Sequence, residues 1–182
     1  KLGFIGDTSL AVGAKIYDLI LKSRMGSAQV KQMSASVSTP VTEIDTTKVI
    51  PLDCKFALEE AKVIIGDTIR AYSQKTEASV GVRPSKMNVK KPVFDLYLRT
   101  DSLFMKANET RIGMDLAGFK ISTFQGRDSL WHPKGTIGFN RLFFSTPEFG
   151  LPIRMQKTEV AFERNTVALR QAKVRIGHSD IT

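Results

Sequence analysis

The chain has 182 residues, 42% of them hydrophobic, with 27 lysines and arginines against 18 aspartates and glutamates, a formal charge of +9. That apolar content excludes a disordered chain and suffices for the core of one domain, and no apolar run nears the roughly 18–20 residues of a membrane-crossing helix. The only cysteine, Cys54, excludes a disulfide framework and a cysteine metal site.

There is no signal-peptide pattern. The first residue is lysine and the last strand runs into Thr182 without a tail, so residues 1–182 are expected to be a single β-repeat domain excised from a longer protein. The basic excess is spread along strand-like segments, as a solvated outer face would be, with anionic lipid head groups or nucleic acid as the alternative contact. Three tyrosines and one tryptophan are too few for a base-stacking platform.

In chain order, Lys15 to Leu21 (KIYDLIL) reads as a strand, although Leu10, Val12, Ile16, Leu19 and Ile20 also fit a helix over Ser9 to Leu21. LEEAKVII, from Leu58 to Ile65, is the other candidate helix. Cys54 alternates with Leu52, Phe56 and Leu58 and is expected to be a small buried hydrophobe. Gly-Asp, Arg-Pro and Lys-Pro steps mark turns.

Repetition is the next signal. Asp18 to Ser23 matches Asp95 to Thr100 type for type, Gly66-Asp67-Thr68-Ile69 resembles Thr100-Asp101-Ser102-Leu103, and Asp128-Ser129-Leu130 echoes the same punctuation. A shift of about 34 positions sets Ile69 on Leu103, Ala71 on Met105, Ala78 on Ile112, Val80 on Met114 and Val82 on Leu116. In both of these copies the apolar parity switches from odd to even, and a switch also falls between Ala28 and Val30 and the later Met33, Ala35 and Val37. The expected fold is therefore all-β and mainly antiparallel, with stacked β-hairpin repeats forming a curled, twisted sheet or groove and at most one or two short helices.

Between Gly126 and Gly150, Pro133, Gly135 and Pro147 bracket a short strand pair, Thr136 to Phe139 and Arg141 to Phe144. From Leu151 to Thr182, a two-residue turn at Arg164 and Asn165 sets Phe162 opposite Val167, Val160 opposite Leu169, Met155 opposite Val174 and Ile153 opposite Ile176. Asparagine tolerates the left-handed backbone of such a turn, and facing residues point to one side of the sheet. Glu159 faces Arg170 favourably; Arg154 faces Arg175 unfavourably. The tip pairs have even and the base pairs odd numbers on the first strand. An unbroken ribbon would direct them to opposite faces unless matching bulges realign them.

No catalytic constellation emerges. His132 and His178 are far apart and lack a ligand cluster, and consecutive His178-Ser179-Asp180 alternate faces and cannot assemble a triad. Gly135-Thr136-Ile137-Gly138 is a glycine pair around a strand rather than a nucleotide loop. Carboxylates before the strands fit turn capping. Asn108-Glu109-Thr110 is a glycosylation sequon in form, and Trp131-His132 is expected to fold onto the sheet. Six methionines, among them Met105, Met114 and Met155, suit either a sheet interior or a surface that accepts varied apolar partners.

The run GTIGFNRLFF from Gly135, then Thr146 to Ile153, the hairpin, and Gly177-His178-Ser179-Asp180-Ile181 resemble the AsmA/TamB-like family of Gram-negative envelope proteins. The resemblance covers Gly135 to Thr182 best. It implies long curled antiparallel sheets around an apolar groove, in a periplasmic protein tethered to the inner membrane by a segment outside this chain. It further implies non-enzymatic roles in outer-membrane assembly and in phospholipid transport between the membranes, with neither cofactor nor metal. Its expected partners are a phospholipid or other acyl-chain lipid, neighbouring β repeats and other envelope proteins, and not nucleic acid.

On that reading the groove candidates are Leu103, Met105, Ile112, Met114, Leu116, Ile153, Met155, Val160, Phe162, Val167, Leu169, Val174 and Ile176, and the head-group candidates at its rim are Arg154, Arg170, Lys173 and Arg175. The alternatives are a structural or interaction module whose apolar residues are packed internally, and a basic, viral matrix-like or nucleic-acid-associated β protein.

Overall fold

A computed structural model describes residues 2–4, 9–40, 47–126, 130–170 and 172–181. Its strands are β1 (Leu2–Phe4), β2 (Ser9–Ser23), β3 (Gly26–Pro40), β4 (Leu52–Ile65), β5 (Ile69–Pro84), β6 (Pro92–Ala107), β7 (Thr110–Gln125), β8 (Trp131–Phe139), β9 (Arg141–Ser145), β10 (Ile153–Met155), β11 (Thr158–Glu163), β12 (Thr166–Arg170), β13 (Val174–Ile176) and β14 (Ser179–Ile181). All belong to one fourteen-stranded sheet in which each strand runs antiparallel to its neighbours. The all-β expectation holds. Both segments with helix-like spacing lie in strands, β2 and β4, and among the described residues the single helical element is the 3-10 turn Pro147–Phe149.

Alternation of apolar with polar residues makes the strands long, and residues that accept a left-handed backbone close them. Gly66 (φ 55°) and Asn108 (φ 54°) supply the turns after β4 and β6. In the turn between β11 and β12 the left-handed residue is Arg164 (φ 51°), rather than the neighbouring asparagine. Its guanidinium lies 5.5 Å from the centre of the Phe124 ring.

The strands break at one common level. Partners run without a register shift on either side of it, but Asp18 on β2, Lys31 on β3 and Glu60 on β4 drop out of the ladders, as do Gln74 and Lys75 opposite Asp101 and Ser102. Asp18, Glu60 and Leu116 have φ of 50°, 49° and 46°. The level then separates β8 from β9 at Asn140, β10 from β11, and β12 from β13, while the register of each pair of segments continues across the gap. This is a transverse bend in the sheet.

The bend explains the parity switch. Ser73 and Thr76, three apart on β5, share a hydroxyl hydrogen bond of 2.7 Å, and both approach Thr100 of β6. In an unbroken strand such residues point to opposite faces. Here they point to the same face, so the odd-numbered apolar positions on one side of the bend and the even-numbered ones on the other share a surface.

Two finer expectations are corrected. The segments after Gly126 are not a hairpin pair: β8 and β9 are collinear, and each pairs with a different part of β7. The 34-residue shift is not a structural repeat either. Ile69 to Val82 is one strand, whereas Leu103 to Leu116 crosses the turn from β6 to β7. The Asp128-Ser129 echo lies outside the described residues.

Gly135 marks a close approach within the sheet. A methyl group there would stand 2.2 Å from the Lys120 carbonyl oxygen and 3.0 Å from Phe162 Cζ. Gly135→Ala is expected to lower stability by about 1–3 kcal/mol, the range for overpacking, read as a lower urea midpoint with an unchanged m-value.

Candidate functional site: an uncovered apolar face

Side chains directly opposite each other in an antiparallel ladder share a face, so each ladder level is a row across the sheet. On the half of the sheet ending in the loops after Pro40 and Pro84, Val12, Val37, Cys54, Val80, Leu96 and Ile121 are consecutive partners from β2 to β7. That row continues through Gly135 and Phe162 to Val167. Two positions along, Ala14, Ala35, Phe56, Ala78, Leu98 and Phe119 form the next row, extended by Ile137, Val160 and Leu169. Both rows are apolar throughout.

On the other half, which ends in the tight turns, Leu103, Met114, Leu142, Met155 and Val174 form one row. Met105, Ile112, Phe144, Ile153 and Ile176 form the adjacent one. The Ser73–Thr76 bond places these rows on the same side as the first two. Across the bend, the triad of Ser73, Thr76 and Thr100 is the polar interruption of that surface, and Thr100 is buried.

Nothing among the described residues covers it. No apolar side chain there is fully buried, and Val12, Phe56, Val80 and Ile137 on this face are exposed. The total accessible surface is 12743 Å², against about 8,800 Å² for a compact monomer of this mass. A sheet ordinarily buries one face against a second layer; the described residues supply none.

Two troughs, of about 1170 Å³ across β2 to β6 and about 520 Å³ across β6 to β13, are lined mainly by side chains that alternate with the apolar rows, Lys15, Lys55, Glu77 and Tyr97 in the first and Arg141, Phe143, Arg154 and Arg175 in the second, and so belong to the opposite face.

Twelve of the thirteen groove candidates thus fall into the four apolar rows, Val160 with Leu169 and Phe162 with Val167 on one half, and the remaining eight on the other. Leu116 does not; it sits at the bend. The head-group candidates are placed differently. Arg154 and Arg175 alternate with Met155 and Val174 and so project from the opposite face, and Arg170 does the same beside Glu159, 3.6 Å away. Lys173 lies next to the bend, its carbonyl accepting from the Gln156 amide. Sequence reasoning missed the β2 to β5 rows, whose signal is the alternation of Val12, Ala14 and Ile16 with Ala35, Val37 and Phe56.

The polar face on the loop half carries ion pairs: Asp53 is 2.7 Å from Arg83 and Glu163 is 3.3 Å from Lys134. At the bend Lys31 is 2.5 Å from Glu60, whose hydrogen bond and charge raise the lysine's pKa; Glu77 does the same to Lys75, Asp101 raises that of Arg99, and the Thr146 hydroxyl lowers that of Glu148. Each shift favours the charged form of a surface group. Trp131 packs edge-on to Phe94 at 5.5 Å, and Cys54 is a half-buried member of an apolar row. No three metal-ligating side chains cluster among the described residues, nor is any helix there long and apolar enough to cross a membrane.

No protein-family model, curated protein or solved structure matches the chain. The likeness to AsmA/TamB-like proteins therefore rests on its sequence motifs alone.

Proposed function

We propose that the chain is a non-enzymatic, lipid-binding β segment of an AsmA-like envelope protein, holding acyl chains along its uncovered apolar face during outer-membrane assembly or phospholipid transport. The observation that carries this reading is the continuity of apolar rows across strands β2 to β12 with no covering layer among the described residues. At about 4.8 Å per strand that path is roughly 40 Å long, enough for an extended acyl chain. Each methylene removed from water contributes about 0.8 kcal/mol and requires no polar partner, which suits rows as apolar as Ala14–Ala35–Phe56–Ala78. The expected location is the periplasm.

The test is to extract the purified protein for bound lipid and titrate it with a fluorescent fatty acid. Co-purified phospholipid or saturable binding supports the proposal; absence of both overturns it. A second reading, a structural module joined to neighbouring repeats, draws on the outer edge of β2. Among the described residues β1 pairs with β2 only from Leu10 to Val12, so the backbone from Ala14 to Ser23 has no strand on that side. Concentration-dependent self-association in sedimentation without lipid binding would favour it.

A further inference from the structure

The face opposite the apolar rows changes character at the bend. On the turn half it carries Lys22, Arg70, Lys106 and Arg111 in one row and Lys62, Arg154 and Arg175 in the next. Among the described residues the first row holds no carboxylate, and in the second Asp180 of β14 stands opposite Arg175. Arg70 is directly opposite Lys106, Lys106 opposite Arg111, and Arg154 opposite Arg175. Facing like charges destabilise a sheet, and none of Lys22, Lys62, Arg70, Lys106 and Arg111 lies in an ion pair. Across the bend the same face carries carboxylates as well, and Arg83, Lys134 and Arg170 are paired there. The directly facing Arg70, Lys106 and Arg111, with no such pair, are a stability cost that an anionic partner would offset.

The side chains between these cations indicate which partner. Ile20, Tyr72 and Phe104 belong to the Lys62 row and are 55%, 40% and 41% exposed. Isoleucine offers no ring to a nucleobase, and Tyr72 and Phe104 face each other across two strands instead of being strung out to stack successive bases. Aliphatic and aromatic side chains at head-group depth, flanked by lysine and arginine reaching phosphates, suit the interface of a bilayer.

We propose that this face docks on an anionic phospholipid bilayer, leaving the apolar rows on the far side of the sheet free. The proposal is independent of acyl-chain binding, because it uses the other surface. Sedimentation with vesicles is the test. Binding is expected to vesicles of phosphatidylcholine with phosphatidylglycerol, but not to phosphatidylcholine alone, and to weaken with salt. The variant Arg70→Gln/Lys106→Gln/Arg111→Gln should lose about a hundredfold in apparent affinity, at roughly fivefold per cation near the membrane surface. It should fold at least as well, since facing like charges are removed. Lys15→Gln/Lys55→Gln/Lys120→Gln changes the net charge equally from the half that also carries carboxylates and should stay within a few-fold of wild type. The proposal is overturned by equal losses in both variants, by equal binding to neutral vesicles, or by preference for single-stranded DNA over anionic vesicles. Fatty-acid titration of the first variant should be unchanged.

Discussion

Replacing Asp18, Glu60 and Leu116 together with valine is expected to leave the protein about 3–6 kcal/mol less stable than the triple glycine variant, at roughly 1–2 kcal/mol for each side chain forced to keep a left-handed backbone. Valine is the severe choice because its branched Cβ is the least tolerant of φ near 50°. Set against the 5–15 kcal/mol of a typical domain, the loss should reduce the melting temperature by on the order of 10 °C. The triple glycine variant is the control. It also removes the Lys31–Glu60 contact, but it adopts positive φ freely and should remain close to wild type. Equal stability of the two variants would show that these backbone conformations do not hold the bend.

The functional stake is larger than the stability. Side chains alternate with a period of two, so a strand that straightened through the bend would send one half of its apolar row to the other face. The apolar face is continuous because the bend absorbs that switch. A valine variant that stays folded should therefore bind the fluorescent fatty acid more weakly than the glycine variant does.

The hairpin from Ile153 to Ile176 was legible because its evidence is local: four apolar pairs and one charge pair all agree on one register, and the ladders reproduce each of them. The parity switch was equally visible, but its cause was not. Left-handed residues are ordinarily sought at glycine, and here they are an aspartate, a glutamate and a leucine in mid-strand. The same blindness produced the false repeat. In Ile69 to Val82 the switch comes from the bend, while in Leu103 to Leu116 it comes from the turn at Asn108, where an even loop pairs odd with even positions. Two different structural causes gave one sequence pattern. The wide apolar rows were hidden for another reason, since Ala14, Ala35, Phe56 and Ala78 meet only once four strands are in register. The rim cations failed on periodicity that was in plain view: Arg154 adjoins Met155, and neighbours in a strand face apart.

Ile137→Glu is expected to weaken fatty-acid binding by at least a hundredfold while leaving stability within about 1 kcal/mol. Ile137 joins Phe119 to Val160 in the row that carries the proposed acyl path, and it is 48% exposed, so little of the fold depends on it. Losing the contact of an isoleucine side chain with an acyl chain costs about 1.5–3 kcal/mol. Bringing a carboxylate against a hydrocarbon adds a desolvation penalty of at least that order. Thr136→Glu is the matched control: it makes the same change in net charge one residue away, on the opposite face, beside Lys120, and should hold affinity within about twofold, since it removes no apolar contact from the path. Titration of both variants separates the explanations. A loss confined to Ile137→Glu puts the acyl chain on the apolar rows. Equal losses would assign the effect to long-range charge, and no loss in either would remove the acyl chain from this part of the sheet.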